Sequence, residues 1–87
     1  GDNGFVEREE NIAIKIKRFI RKVTSSNNSE LFIFHTSIHM AEFINKNYLS
    51  DWKKEFNREI IIEGVKDFEW GKYKLDYQGA ADKLPLF

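Results

Sequence analysis

The chain carries two histidines, His35 and His39, at a spacing that on a single helix would aim both imidazoles and Glu42 at one metal ion. The surrounding pattern argues against that use. His35 closes an apolar run that reads as a strand, and the next helix opens only after it, so the two rings need not converge. No cysteine is present to complete a ligand set. The carboxylate pairs Glu9/Glu10 and Asp67/Glu69 sit in no apolar motif that would raise a pKa for general acid work. Nucleophile elbow, P-loop and glycine-rich nucleotide turn are all missing. The residue types therefore predict no catalytic residue, no metal ligand set and no cofactor for this chain.

Two other groups of residues carry more. Lys15, Arg18 and Lys22 recur at i, i+3 and i+7, and Lys17 and Arg21 at i and i+4, so much of one helix outside its apolar face is positive. Lys15, Arg18, Arg21 and Lys22 are candidate contacts to an RNA backbone. The same residues suit a solvated helix face whose cationic end favours the macrodipole. The segment Asn45–Tyr48 falls between two helices, where some RNA-binding folds place a Gly-x-x-Gly clamp. It has no glycine, which argues against a KH-type clamp. Phe68, Trp70 and the Leu84-Pro-Leu-Phe87 end are candidate interface residues, with intrachain packing as the other reading.

Composition sets the frame for these surfaces. At 87 residues the chain is one domain at most, and such a domain buries roughly 60–65 % of the surface its unfolded chain exposes. Eight Phe, three Tyr and two Trp are a heavy load for so small a core, which points some rings toward another domain or subunit. A net charge of zero argues against a free-standing nucleic-acid binder. The first 29 residues carry six basic and four acidic groups, and the last 29 carry four and six, a mild asymmetry. No apolar run approaches the ~20 residues of a membrane span, no signal-peptide pattern is present, and the absence of cysteine suits a reducing cytoplasm. Gly1 reads as a residue left from expression.

The elements that must position these residues follow from periodicity. From Val6 to Val23 the apolar residues Ile12, Ile16, Phe19, Ile20 and Val23 keep helical spacing, with Glu7, Glu9 and Glu10 at the start and Arg21 and Lys22 at the end. Thr24–Ser29 reads as a loop. The run Leu31–Phe34 is continuous, as in a strand covered on both faces. Thr36 or Ser37 caps the next helix, whose buried face is Met40, Ala41, Phe43 and Ile44. A break is expected over Asn45–Tyr48. Ser50 then caps a short helix ending at Phe56, with Asn57 left-handed. Glu59–Glu63 is the second strand, ended by Gly64. In the third, Lys72–Tyr77, Tyr73, Leu75 and Tyr77 share one face against Lys72, Lys74 and Asp76.

The 25 residues between the apolar runs Leu31–Phe34 and Ile60–Ile62 fit a parallel crossover, whereas the eight-residue connection Gly64–Gly71 favours antiparallel pairing of the second and third strands. The expected fold is a small single α/β domain in the order α-β-α-α-β-β, with a mixed three-stranded sheet packed on helices. Residues 1–5 are expected to be a linker or expression remnant, 6–77 the domain, and 78–87 a tail.

The cadence of these segments resembles a known family. Gly4-Phe-Val6 leads into Glu9-Glu-Asn-Ile-Ala-Ile-Lys-Ile-Lys-Arg, followed by the apolar strand and Met40-Ala-Glu-Phe-Ile44. The helix around Trp52–Phe56, Glu59-Ile-Ile-Ile-Glu-Gly64 and Lys72-Tyr-Lys-Leu75 complete it. Over Gly4 to Tyr77 the chain is similar to the C-terminal small domain of the ribonuclease E/G family. The resemblance implies a bacterial endoribonuclease that cleaves single-stranded RNA in rRNA maturation and mRNA decay. It places catalytic magnesium on aspartates of an upstream nuclease domain, beside an S1-type RNA-binding domain, and zinc on a Cys-x-x-Cys link just before the small domain. None of those parts lies in this chain. Many family members have a histidine in the segment matching Phe68–Trp70, where this chain has Glu69, and some have a glycine-rich turn at Asn45–Tyr48. No functional residue carries over.

The resemblance thus implies a non-catalytic module of a hydrolase, a fragment whose partners are the rest of the parent enzyme and other subunits. The residues alone leave open an RNA-binding module using the basic helix, or an unrelated protein-interaction domain.

Overall fold

The computed structural model describes residues 7–81. The expected leading linker, the Gly4-Phe-Val6 match and the Leu84-Pro-Leu-Phe87 candidate lie outside that range. The order of elements is α1 (Glu9–Ser25), β1 (Leu31–Thr36), α2 (Ile38–Asn47), α3 (Leu49–Phe56), β2 (Glu59–Gly64) and β3 (Tyr73–Gly79). The three strands form one mixed sheet in the order β2-β1-β3, with β1 parallel to β2 and antiparallel to β3. The expected α/β class and the parallel crossover through two helices are both present.

The third strand corrects one expectation. It pairs with β1 at the far edge rather than with its sequence neighbour β2. Burial supplies the reason. Leu31 to Phe34 are all buried, a condition that a middle strand meets and an edge strand does not. Eight residues are ample to carry the chain past the end of β1.

Phe32 and Phe34 face a core built with Ile60 and Ile62 of β2, Ile12, Ile16 and Ile20 of α1, Met40 and Ile44 of α2, and Trp52 of α3. Each such side chain contributes about 1.5–3 kcal/mol when fully buried, so this layer outweighs any surface pair. The helices all meet that single face. Leu31, Ile33 and His35 point to the other.

A bulge changes the face assignment on β3. Register runs from Thr36↔Tyr73 to Phe34↔Leu75 and then jumps to Ile33↔Tyr77, leaving Asp76 as the extra residue. Tyr73 and Leu75 therefore join the helix side, while Tyr77 lies with Ile33 on the outer side, against the expectation that all three share a face. Tyr77 is folded along its strand, since a Cβ added to Gly79 would overlap its ring. The strand also runs through Gln78 and Gly79, taking two residues from the expected tail.

Helix ends differ from expectation for local reasons. α1 extends to Ser25 because Thr24 Oγ1 donates to the Arg21 carbonyl (3.2 Å) and Ser26 Oγ to those of Lys22 and Val23 (3.1 and 3.2 Å). These hydroxyls satisfy carbonyls that a frayed end would leave open. Ser37 caps α2 by accepting from the Met40 N–H. Its buried face is Met40, Ala41 and Ile44, with Phe43 partly buried. α2 runs to Asn47, so the expected break shrinks to Tyr48 (φ −131°). Tyr48, not Ser50, is the N-cap residue of α3, and its ring stacks on Trp52 with centroids 5.7 Å apart. Asn57 is left-handed (φ 54°, ψ 46°), as expected.

Gly64, which ends β2, lets the start of α2 lie directly on the strand: a Cβ there would sit 2.7 Å from the Ile38 Cα. Gly64→Ala is expected to destabilise the domain by about 1–3 kcal/mol, read from urea unfolding. An unchanged midpoint would remove this close approach as a packing constraint.

Candidate functional site

The route of β3 creates the most distinctive local structure, the connection 65–72 that crosses the end of β1. Both of its ends are tied to Thr36. The Val65 N–H donates to the Thr36 carbonyl (2.8 Å), and the buried Thr36 hydroxyl donates to the Lys72 carbonyl (2.8 Å). Two turns lie between, with the Phe68 N–H donating to Val65 O (3.2 Å) and the Lys72 N–H to Glu69 O (3.1 Å). Asp67 (φ 78°) and Gly71 (φ 85°) are left-handed and flank Phe68, Glu69 and Trp70. A non-glycine residue there carries strain, a feature concentrated at working loops.

This connection gathers the predicted interface residues and both histidines. Phe68 meets the His35 ring edge-on at 6.4 Å between centroids, and Trp70 packs on His39 at 5.5 Å. The Trp70 indole N–H donates to the Glu7 carbonyl (2.8 Å). Trp70 nonetheless remains 37 % exposed, and Ile38, at the same end of the sheet, 48 %. Two large apolar side chains left in water at one end, on a loop and a helix start, are the kind of feature that marks a contact surface. Ile38 is the residue that pattern reading missed. Neither its residue type nor its place as the first residue of α2 signals that exposure.

The histidines do not converge. His35, on the outer sheet face, is within 2.8 Å of Glu63 and 3.4 Å of Asp76, both through Nε2. His39, in the first turn of α2, contacts Glu9 of α1 at 2.9 Å through Nε2. Glu42 lines the groove beside His39 with Phe43 and Lys46. Among the described residues no group of three His, Asp or Glu side chains is arranged to hold a metal ion. The His35–Glu63–Asp76 cluster was invisible in the sequence, because it depends on the β1–β2 register and on the bulge at Asp76.

The basic stripe is divided. Lys15, Arg18 and Lys22 lie along one ridge of α1, whereas Arg21 turns with Lys17 toward α3, where both meet Glu55 (3.3 and 2.9 Å). Hydrogen bonds from Lys17 and then Arg21 hold the Glu55 carboxyl below its ordinary pKa. Lys15 pairs with Glu7 (2.7 Å), while Arg18 and Lys22 have no acidic partner among the described residues. The four candidate RNA contacts are thus not one surface.

A further groove between α1 and α3 is lined by Glu10, Ile14, Lys17, Tyr48 and Trp52, with Ile14 50 % exposed. Another open surface depression runs along Ser29, Lys53, Lys54, Asn57 and Arg58. Two of its cations, Arg58 and Lys53, already have structural work. Arg58 donates to the carbonyls of Asn27 and Ser29 (2.8 and 3.1 Å) and covers the Phe32 ring, and Lys53 pairs with Glu59 (3.1 Å). No helix among the described residues is long and apolar enough to cross a membrane. No protein-family model and no curated protein sequence matches this chain.

The His39 hydrogen bond, aided by the Glu9 backbone N–H and opposed by partial desolvation, lowers the Glu9 carboxyl pKa. A carboxyl lowered in the folded state contributes stability above its unfolded pKa and loses it as pH falls through the folded value. A carbon-detected NMR titration is expected to give Glu9 a midpoint below that of an ordinary glutamate, rising toward it in His39→Ala. An identical midpoint in the variant would show that His39 is not the cause.

Proposed function

We propose that this chain is a non-catalytic interaction module that supports subunit assembly, of the kind supplied by the C-terminal small domain of a ribonuclease E/G-like endoribonuclease in RNA processing and decay. The observation that carries this reading is the exposure of Trp70 and Ile38 at one end of the sheet, beside a doubly pinned loop with left-handed residues on either side of Phe68–Trp70. A rigid loop loses little entropy when a partner covers it, which favours docking over chemistry. The segment order of the sequence supports the family assignment. Under it, the parent's magnesium would belong to its nuclease domain and its zinc to a cysteine link, and no step here is routed through either.

A second reading, an RNA-backbone contact, draws on one observation: Lys15, Arg18 and Lys22 share a ridge, and the last two have no acidic partner among the described residues. Arg21 is its weakest member because Glu55 already engages it.

Titration into labelled 5′-monophosphate single-stranded RNA at low and moderate salt separates the two. The assembly reading expects no binding at low salt. Salt-sensitive binding that disappears when Lys15, Arg18, Arg21 and Lys22 are neutralised would replace it with the RNA reading. In parallel, a longer protein including the cysteine link is expected to oligomerise and bind zinc, with assembly weakened at least tenfold by Trp70→Ala together with Ile38→Ser. A zinc-free monomer, or assembly indifferent to both substitutions, would overturn the assembly reading.

A further inference from the structure

The outer side of α1 carries a pattern that neither the core nor the loop end uses. Ile14 is half exposed in the middle of the helix, with Glu10 at i−4 and Arg18 at i+4. At 3.6 residues per turn both charged positions fall within about 40° of Ile14, so the three share one exposed face. Arg21 continues the line at i+7 but is engaged by Glu55 (3.3 Å). Glu10 and Arg18 are exposed and have no ion-pair partner among the described residues. The macrodipole explains an acidic start and a basic end to the helix, but not equal spacing about an exposed apolar side chain. Beside Ile14 lies the groove between α1 and α3. Its floor is the buried pair Ala13 and Trp52, and Tyr48 forms a wall by stacking on the indole.

A face that inverts its charge about one apolar residue is complementary to itself when a second copy lies across it antiparallel. A two-fold axis at Ile14 sets each residue before it opposite the residue equally far after it in the other copy. Glu10 of each copy then faces Arg18 of the other, and the contact occurs twice. We propose that two copies of this chain pair through α1, antiparallel about Ile14, with each Ile14 seated in the other's α1–α3 groove. The isoleucines supply apolar burial, and the charges fix the direction. A parallel pair would set Glu10 against Glu10 and Arg18 against Arg18, so the same residues that favour one orientation oppose the other. This surface is additional to the Trp70 and Ile38 end, and the proposal does not depend on the docking reading for that end.

Analytical ultracentrifugation of the 87-residue chain, from low-micromolar to near-millimolar concentration, tests the pairing. A monomer–dimer equilibrium is expected. Ile14→Ser, Glu10→Arg and Arg18→Glu are each expected to weaken it by about tenfold or more. The decisive sample is an equimolar mixture of the Glu10→Arg and Arg18→Glu chains. Each variant repels itself, but in the mixed dimer every cross-copy pair is again opposite in sign, so dimer is expected to return. A change in the stability of either chain cannot produce that rescue. All three positions are exposed, and far-ultraviolet circular dichroism checks that the helices are kept. A variant that loses helix is replaced by Ile14→Gln, Glu10→Lys or Arg18→Asp. A chain monomeric at every concentration, a dimer indifferent to Ile14→Ser, or a mixture no more dimeric than its components would overturn the pairing. A dimer lost in Trp70→Ala/Ile38→Ser but kept in Ile14→Ser would overturn it and favour the docking reading. Assembly of the longer protein that is indifferent to Trp70 and Ile38 would overturn docking alone.

Discussion

The burial of Leu31, Phe32, Ile33 and Phe34 in one continuous run is the constraint from which the rest of the architecture follows. A strand buried along its length needs a neighbour on each side, and here the helices cover one of its faces. β1 takes β2 on one edge through the parallel crossover, which leaves the other edge for β3. That choice forces residues 65–72 across the end of β1 and into reach of Thr36, whose hydroxyl pins the loop. It also sets His35 between Glu63 and Asp76, since the three residues come from three different strands. The loop, the histidine cluster and the exposed Trp70 are consequences of one strand being central.

The helices finish the domain on one side only. α1 lays Ile12, Ile16 and Ile20 on the sheet, and Phe19 bridges to Phe34 and Tyr73 with ring centroids 5.7 and 5.3 Å apart. α2 approaches β2 closely enough that only glycine fits at position 64. Asn45 then donates to the Ile62 carbonyl (3.2 Å), occupying an acceptor on the outer edge of β2 and shielding it from stray strand pairing. The β3 edge is protected differently, by the bulge at Asp76 and the exposed charge of Lys74. Both edges are thus guarded, which turns attention from the sheet edge to the loop end as the surface where a partner would bind.

Charge tells a consistent story. A chain of zero net charge, in which Lys15, Lys17, Arg21 and Lys53 already meet acidic groups, has little net field to attract a polyanion. Arg21 and Lys17 converge on one carboxylate to fasten α1 to α3, and Arg58 closes the loop between α1 and β1. Cations that appeared as a stripe along the sequence act here partly as ties between elements.

Periodicity and local chemistry determined the number, type and order of the elements. The continuous apolar run marked a buried strand, and Thr36 or Ser37 and Asn57 marked helix boundaries, because caps and left-handed residues depend on a few neighbours. The Phe68–Trp70 candidates needed only residue type and place in a connection. The far-edge position of β3, the flip of Tyr77 to the outer face, the His35–Glu63–Asp76 cluster and the division of the basic stripe were set by tertiary structure. Each depends on register between segments distant in the chain. A single bulge reverses which side chains face the core, and no local pattern records it.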